Sequence, residues 1–329
     1  MAGGEIIVRV EALLSGGRAA EAARLLSEAA GAGQTAALAH LASWRIAGNV
    51  VRRDLVKARR LLAAAGARGD SGSALLHASF LASGTGGEAD WPGALAALRT
   101  LAPTVPQAAA QLRLIDSMDL GEDGFPKRRI AVRPLSTAPR AAVAENFLTA
   151  AECAWLRSAA EPELQPSVVV DPATGRMAPH PVRTSDAAMF GVHGEDVAVN
   201  AINRRIAAAS GTRPAQGEPL QVLRYRPGGE YKPHLDALPA EANQRILTCL
   251  VYLSDDYEGG ETHFPRTGLS FRGRTGDALL FQNAAADGRA DPLSLHAGLP
   301  VTRGTKYLAS RWIRSERFTY PPPRPLVDM

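Results

Sequence analysis

Two histidines, an aspartate and a lysine are the residues whose types and spacing could do chemistry. His234 and Asp236 are two positions apart, and side chains two apart in a β-strand share a face. Both could therefore reach one metal ion while Leu235 packs behind them. His296 would join them from a distant strand, and two imidazoles with one carboxylate form the donor set of a non-haem Fe(II) oxygenase. Lys306 follows His296 by ten residues and supplies a cation that can bind the far carboxylate of a diacid co-substrate.

The segments around these residues predict strands and turns that could hold the metal ligands. They are rich in apolar and β-branched side chains and are separated by glycine-containing turns. The four segments are Leu220–Tyr225, Arg245–Leu253, Gly259–Pro265 and Gly276–Phe281. Together with the candidate ligands, they give an ordered set of motifs over residues 141–316.

In type and order, these motifs resemble the prolyl 4-hydroxylase type of Fe(II)/2-oxoglutarate-dependent dioxygenase. The resemblance implies a double-stranded β-helix, which is a jelly-roll architecture. It also implies Fe(II), with 2-oxoglutarate and O2 as co-substrates and ascorbate as an expected accessory reductant. The expected reaction hydroxylates an unactivated C–H bond while 2-oxoglutarate is decarboxylated to succinate.

The resemblance assigns a role to each candidate site residue. The implied iron ligands are His234, Asp236 and His296. The implied 2-oxoglutarate-binding residues are Lys306, Tyr225 and Thr262. The implied substrate-side and pocket residues are Tyr231, Arg183, Arg245 and Trp312. The chain departs from the family after the triplet that begins at Arg183, because Met189 and Phe190 stand where a tryptophan is usual.

Each assignment has a purely structural alternative. Tyr225 would otherwise be a sheet aromatic, Thr262 a strand residue and Arg245 a surface charge. Trp312 could serve in both the core and the pocket wall. Lys306 in isolation would be a solvated surface residue. The functional interpretation is favoured for the metal site because four required residue types occur in order at compatible spacing.

The first 115 residues predict Ala- and Leu-rich helices that repeat. Ala36–Ala42 parallels Ser73–Ser79, and Asp54–Leu62 parallels Asp90–Leu98, which gives a period of 36 to 37 residues. A period of this length is typical of helix–turn–helix solenoids, and the pattern resembles Sel1-like repeats, relatives of the tetratricopeptide type. A plain helical bundle is the alternative. A concave helical face commonly holds a peptide or protein, so a protein partner is hypothesised.

The chain is therefore predicted to be an α+β multidomain protein. The predicted divisions are a repeat domain over 1–115, a linker over 116–140, an oxygenase domain over 141–316 and a Pro-rich tail over 317–329. Within the oxygenase domain, helices are expected at Ala141–Ala160 and Glu195–Gly211, with a short strand at Ser167–Asp171. The loop Pro172–Pro181 is expected to close over substrate. Within the tail, the segment Tyr320–Pro325 is expected to be polyproline II or disordered.

Composition limits the kind of protein and its partners. The net charge of +4 is mild and the basic clusters are short, so no nucleic-acid partner is expected. No apolar run is long enough to predict a transmembrane helix, and no signal peptide is evident at the N-terminus. Two cysteines do not indicate a disulfide framework. These features predict a cytoplasmic protein without a membrane partner.

Three functional hypotheses remain open from the sequence. The first is hydroxylation of prolyl residues, at the 4-position, in a peptide or protein substrate. The second is the same chemistry on a free amino acid or another side chain; a nucleobase is disfavoured because those demethylases carry arginine where this chain has Lys306. The third is an inactive oxygenase fold that serves as a scaffold, with the helical repeats binding partners. The complete set of candidate ligands argues against this third hypothesis.

Overall fold

The computed structural model describes residues 2–170, 177–179, 182–285, 287–320 and 323–328. The chain divides into two compact units. One comprises Met1–Phe125, Val192–Ala201 and Thr319–Met329, and the other comprises Pro126–Gly191 and Ile202–Phe318. Within the described ranges, no helix has both the length and the apolar character needed to cross a membrane.

The first unit is built of helices. They are α1 (Ala2–Ser15), α2 (Ala19–Gly31), α3 (Thr35–Ala47), α4 (Leu55–Gly66), α5 (Ser71–Ser83), α6 (Trp91–Leu101) and α7 (Pro106–Asp116). The helix pair α3–α4 recurs as α5–α6. The first residues of α3 and α5, and those of α4 and α6, are 36 positions apart, which agrees with the predicted period.

The helices of both repeat copies begin and end with the same residue types. Asp54 and Asp90 cap the N-termini of α4 and α6 by accepting a hydrogen bond from a backbone N–H. Gly48 and Gly84 end α3 and α5 in the left-handed region, with φ of 75° and 72°, where a side chain would be strained. The turn chemistry of the repeat is thus encoded locally in the sequence.

The described C-terminal residues after Pro325 form backbone hydrogen bonds within the helical unit. The backbone N–H groups of Leu326 and Val327 donate to the carbonyl oxygens of Asn49 and Val50, each at 2.9 Å. Val327 also forms a parallel bridge with Val51. These contacts follow the segment Tyr320–Pro325, so the expectation of polyproline II or disorder there stays a prediction, and Pro321 and Pro322 lie outside the described residues.

The second unit contains the β-strands, together with α8 (Ala150–Ala160) and part of α9 (Val197–Ser210). The strands in the first half are β1 (Arg133–Thr137), β2 (Arg140–Ala144), β3 (Gln165–Pro166), β4 (Val168–Val170), β5 (Met177–Pro179), β6 (Asp186–Phe190), β7 (Leu220–Tyr225) and β8 (Tyr231–His234). The remaining strands are β9 (Arg245–Tyr252), β10 (Glu258–Gly259), β11 (Thr262–Phe264), β12 (Leu269–Phe271), β13 (Ala278–Gln282), β14 (His296–Gly298), β15 (Val301–Arg303) and β16 (Lys306–Arg314).

Two sheets of this unit position the site. The large sheet has eight strands in the order β1-β2-β13-β9-β16-β7-β6-β3, and the small sheet has the order β12-β11-β14-β8. Inward-facing side chains of both sheets, among them Leu250, Leu279 and Phe264, form one buried cluster that also contains Tyr225 and Tyr252. The architecture is the antiparallel jelly roll that the resemblance implied.

The expected helix over 141–160 is wrong in its first half. The structure places β2 there, paired with β13 from Ala144 opposite Ala278 to Ala141 opposite Phe281. Only after Thr149 caps it does α8 begin. Alanine favours a helix locally, but pairing with a distant strand overrides that preference. Strand β1 likewise lies inside the predicted linker.

Two other expected elements agree with the structure where they are described. The expected helix Glu195–Gly211 corresponds to α9, and the short strand before residue 171 corresponds to β4. Of the loop predicted to close over substrate, only Met177–Pro179 is described, and it forms β5, which pairs with β4. The other residues of that loop lie outside the described part of the chain.

A buried ion pair stabilises the second unit behind the large sheet. The guanidinium of Arg205 donates to both carboxylate oxygens of Glu152, at 2.9 and 2.6 Å, and to the carbonyl oxygen of Phe147 at 2.8 Å. Glu152 also completes the capping box of α8 with Thr149. One side chain therefore holds both a helix end and a buried cation.

We expect Glu152→Ala to lower the free energy of unfolding by about 3–5 kcal/mol, because it leaves Arg205 buried without its anion. Urea unfolding followed by circular dichroism measures the change. Glu145→Ala is the matched control: its pair with Arg133 is about 60% exposed on both sides, so it should cost less than about 1 kcal/mol. Equal effects of the two substitutions would contradict the prediction.

Candidate active site

Strands β8 and β14 bring the two candidate histidine ligands together. They pair antiparallel with His296 directly opposite His234, and their imidazole centroids are 4.3 Å apart. Asp236 follows the end of β8, and its carboxylate oxygens lie 3.6 Å from His234 Nε2 and 3.7 Å from His296 Nε2. One ligand atom from each of the three residues lies within 4.8 Å of the others, so the predicted triad forms.

Backbone carbonyl groups orient both imidazoles. His234 Nδ1 lies 2.8 Å from the carbonyl oxygen of Lys232, and His296 Nδ1 lies 3.0 Å from that of Ser294. Because a carbonyl oxygen only accepts, Nδ1 must carry the proton in each ring. In the neutral form of either ring, Nε2 then has a free lone pair on the side of Asp236, as a metal ligand requires.

Burial and mutual attraction set the charges of the triad. Burial alone would raise the pKa of Asp236, but the imidazoles of His296 and His234 and the hydrogen bond from Thr248 outweigh burial and lower it. Burial lowers the pKa of His296 to about 4, partly opposed by the Asp236 carboxylate. At neutral pH the site therefore presents an anionic oxygen ligand and a neutral imidazole at His296.

Lys306 lies at the inner end of the same cavity. It begins β16 opposite Tyr225 of β7, and its Nζ donates to the carbonyl oxygen of Gly260 at 2.6 Å. The ammonium also lies 5.5 Å from the ring centre of Tyr225 and 5.4 Å from that of Tyr252. Burial lowers the pKa of Lys306 to about 7, so an anionic ligand beside it would favour its charged form.

The outer wall of the cavity contains three of the predicted substrate-side residues. The Tyr231 ring stacks on His234 with centroids 3.5 Å apart, and the Arg183 guanidinium lies 5.1 Å from the centre of the Tyr231 ring. Arg183 Nη2 and Trp312 Nε1 are buried and have no hydrogen-bond partner among the described residues. Both line the cavity, so each is a donor available to a ligand.

Arg245 is the predicted site residue that the structure does not bring to the cavity. It pairs with Glu218 at 2.6 and 2.8 Å, and its guanidinium lies 3.7 Å from the ring centre of Trp312. Its contact with the site is therefore indirect, through the back of Trp312. A direct role for Arg245 in substrate binding stays a prediction.

Successive side chains point to opposite faces of β11, as expected, but this alternation does not continue past the end of β8. Thr262 is buried, whereas His263 Nδ1 contacts Ser270 at the surface. Leu235 was expected to pack behind the metal ligands, and that was wrong: 39% of it is exposed. The reason is that β8 ends at His234 and the chain turns before Asp236.

Three residues that contact the site residues directly or through one another were missed by the sequence analysis: Thr248 and Tyr252 of β9, and Asn283, which follows β13. The Tyr252 hydroxyl contacts Thr262 Oγ1 at 2.8 Å. Thr248 donates to Asp236 Oδ2 at 2.6 Å, and Asn283 donates to Thr248 at 2.8 Å. The signal was the two-residue period of β9, which puts Thr248 and Tyr252 on the inward face among apolar residues.

The donor set fits a divalent iron. It combines two neutral imidazole nitrogens with one carboxylate and closes only one side of the site, which is the pattern of non-haem Fe(II) oxygenases. The buried cation of Lys306 lies on the wall of the same cavity. This arrangement can bind a metal together with a second, anionic ligand.

Comparison with known proteins agrees with this arrangement. The family model described as the 2OG-Fe(II) oxygenase superfamily matches residues 220–314. Prolyl 4-hydroxylase 1 of Arabidopsis thaliana is 41% identical over 202 residues, which are 55% of this chain and 71% of that protein. The probable prolyl 4-hydroxylase 10 of the same plant is 39% identical over 222 residues, which are 60% and 76% of the two chains.

Solved structures are also similar. The viral collagen prolyl hydroxylase of Paramecium Bursaria Chlorella virus-1 is 28% identical with a TM-score of 0.44, covering 54% of this chain and 96% of the viral protein. The Pseudomonas putida prolyl-4-hydroxylase is 19% identical with a TM-score of 0.40, covering 63% of this chain and 99% of that one.

We expect the stability of the metal-free protein to rise with pH above 7, because of Lys306. Its folded pKa is about 7 against an ordinary value of 10.5. Between these values the unfolded chain binds the additional proton, so the native state gains stability as protons are withdrawn, by about 1 kcal/mol per pH unit.

Urea unfolding of wild type and Lys306→Met between pH 6 and 8.5 isolates this contribution, since other titrating groups are common to both proteins. The wild type should gain stability relative to the variant as the pH rises. Parallel pH profiles would show that Lys306 stays charged in the folded protein.

Proposed function

Because the chain belongs to the prolyl 4-hydroxylases of the 2-oxoglutarate-Fe(II) oxygenase superfamily, we propose that it hydroxylates prolyl residues in a peptide or protein, at the 4-position. The observation that carries the proposal is the convergence of His234, Asp236 and His296 on one cavity that also holds the buried Lys306. Fe(II) is the cofactor of this superfamily, and 2-oxoglutarate and O2 are the co-substrates.

One end of the cavity would bind the iron, and the other end would bind the distal carboxylate of the co-substrate. Asp236 and the two imidazoles would hold the iron. Lys306 would bind the distal carboxylate of 2-oxoglutarate by a charge-assisted hydrogen bond, exchanging its contact with the Gly260 carbonyl for a stronger anionic partner. Tyr225 and Thr262 line the path between these points and would bind the same co-substrate.

Burial is the protein's main contribution to the reaction. Bound at this site, iron with 2-oxoglutarate and O2 supplies an oxidant able to hydroxylate an unactivated C–H bond, with release of succinate and CO2. Asp236, His296 and Lys306 are each at most 5% exposed, so water has little access to the reacting centre. Leu223, Leu250 and Leu308 add apolar surface to the walls of the same cavity.

The outer wall is suited to an extended peptide. Arg183 and Trp312 each present a buried donor that has no partner among the residues described by the structure, and peptide carbonyl groups are acceptors of matching chemistry. The Tyr231 ring stacks on His234 and lies next to the Arg183 guanidinium, so it is an aromatic group beside a metal ligand that a pyrrolidine ring would contact. These features support a prolyl residue in a peptide over a free, doubly charged amino acid.

The helical unit is proposed to bind a protein partner. Support comes from the repeated helix pairs, since stacked repeats of this kind commonly present an extended binding surface. A cytoplasmic location is likewise a proposal, supported by Cys153 and Cys249, which are both buried and free.

We expect the purified protein with Fe(II), 2-oxoglutarate and O2 to release succinate when a proline-containing peptide is added, and to add 16 Da to a proline. His234→Ala should reduce turnover to background, because two ligands cannot hold the iron at the required affinity. Mass spectrometry of the peptide and succinate quantification measure the two products, and omission of ascorbate tests its expected contribution.

His263→Ala is the matched control, because this histidine contacts Ser270 at the surface and should leave turnover unchanged. If succinate release does not respond to any added peptide but is lost in His234→Ala, prolyl hydroxylation is refuted and the assignment as an oxygenase stands. Absence of turnover in a protein that binds iron would favour the scaffold hypothesis.

We expect Arg183→Gln to raise the KM for peptide about tenfold or more, because it removes a charged donor from the substrate wall. Peptide-independent decarboxylation should change little, since Arg183 contacts no metal ligand. Arg226→Gln is the control: this arginine is 64% exposed and pairs with Asp186 at 3.4 Å. An unchanged peptide KM in Arg183→Gln would remove that residue from the substrate site.

A further inference from the structure

Thr248 and Asn283 form a buried chain of hydrogen bonds that ends on the carboxylate ligand. Thr248 Oγ1 lies 2.6 Å from Asp236 Oδ2, and Asn283 Nδ2 lies 2.8 Å from Thr248 Oγ1. Thr248 and Asn283 have no exposed surface. Neither residue lines the cavity, so neither would contact a bound metal or co-substrate directly.

The chemistry of the three groups determines which one donates and which one accepts in each of these hydrogen bonds. An ionised carboxylate only accepts, so the Thr248 hydroxyl must donate to Asp236. A hydroxyl has a single proton, so Thr248 can only accept from Asn283, which must turn its Nδ2 toward the hydroxyl. Asn283 Oδ1 is then left buried with no partner among the described residues. An amide kept in this costly orientation indicates that the donated hydrogen bond matters.

The contact distinguishes two carboxylate oxygens that are otherwise equivalent. Oδ1 lies 3.6 Å from His234 Nε2 and Oδ2 lies 3.7 Å from His296 Nε2, so the imidazoles alone do not select one as the ligand. We propose that Thr248 and Asn283 are positioning residues that hold Oδ2 and present Oδ1 of Asp236 to the metal. A single ligating oxygen leaves more of the coordination sphere for 2-oxoglutarate and O2.

Asn283 also connects these hydrogen bonds to the segment that carries the second histidine, His296. Its carbonyl oxygen accepts from the backbone N–H of Asp291 at 2.8 Å. The chain then turns through the 3-10 helix Pro292–Ser294, and the Ser294 carbonyl orients His296. Asn283, the buried residue that follows β13, is therefore connected to two of the three ligands.

This inference rests on the metal site of the proposed function, so its test measures metal binding without turnover. Apo protein is titrated with Co(II), and the d–d absorption of the complex is recorded in the absence of 2-oxoglutarate. Hydrogen-bond partners of ligating groups typically contribute about 10–100-fold to metal affinity. We expect Thr248→Val, which keeps the shape and loses the hydroxyl, to weaken Co(II) binding by about this factor and to change the d–d spectrum.

Two variants separate positioning from general destabilisation. Thr248→Ser keeps the hydroxyl and should restore both the affinity and the spectrum. Cys249→Ala is the matched control on the same strand: its side chain is fully buried on the opposite face, so it should lower stability and leave Co(II) binding unchanged. Asn283→Ala frees the Thr248 hydroxyl to rotate and should weaken binding less than Thr248→Val.

The outcomes distinguish this inference from the function on which it rests. If wild type fails to bind Co(II), the metal site itself is wrong. If wild type binds and Thr248→Val binds with the same affinity and spectrum, the positioning role is overturned while the oxygenase stands. Should Thr248→Val fail to fold, Asn283→Ala decides, and unchanged binding in that variant also overturns the role.

Discussion

The pairing of β8 with β14 is the constraint on which the site depends. It places His296 opposite His234, and a shift by one residue would move one histidine to the other face of the small sheet. Each histidine is further held by a carbonyl two residues before it in the chain. The register of two short strands therefore decides whether the chain has a metal site.

Placing the charged groups of the site inside the jelly roll has an energetic cost that the surrounding structure offsets. Asp236 accepts a hydrogen bond from Thr248, which helps to offset the burial that opposes its charge. Lys306 is compensated less well: its ammonium contacts a carbonyl oxygen and two aromatic rings, and the Glu261 carboxylate offsets only part of the effect of burial. An anionic co-substrate would supply the missing partner, so the site is preorganised for a diacid at the expense of stability without it.

The large sheet supports the site through residues that never touch the metal. Strand β9 provides Thr248 to Asp236 and Tyr252 to Thr262 from a single inward face. Strand β16 contributes Lys306 and Trp312 in the same way, and Arg245 packs behind the tryptophan with Glu218. Residues at each end of the cavity are therefore backed by buried polar contacts, which restrict the side chains to few conformations.

The sequence by itself determined the chemistry and the class of fold. Two-residue spacing in a β-prone segment identified His234 and Asp236, and ordered motifs identified His296 and Lys306, because these patterns depend on local geometry and residue type. The same holds for the helix pairs, whose capping aspartates and left-handed glycines are encoded within each repeat. Tertiary structure decided what depends on distant partners: β2 in place of a helix at Ala141–Ala144, the backbone hydrogen bonds of Leu326 and Val327, and Arg245 behind Trp312 instead of in the cavity. It also revealed Thr248 and Asn283 as neighbours of Asp236, because a polar residue in a strand shows its face in the sequence but shows its partner only once the sheets are assembled.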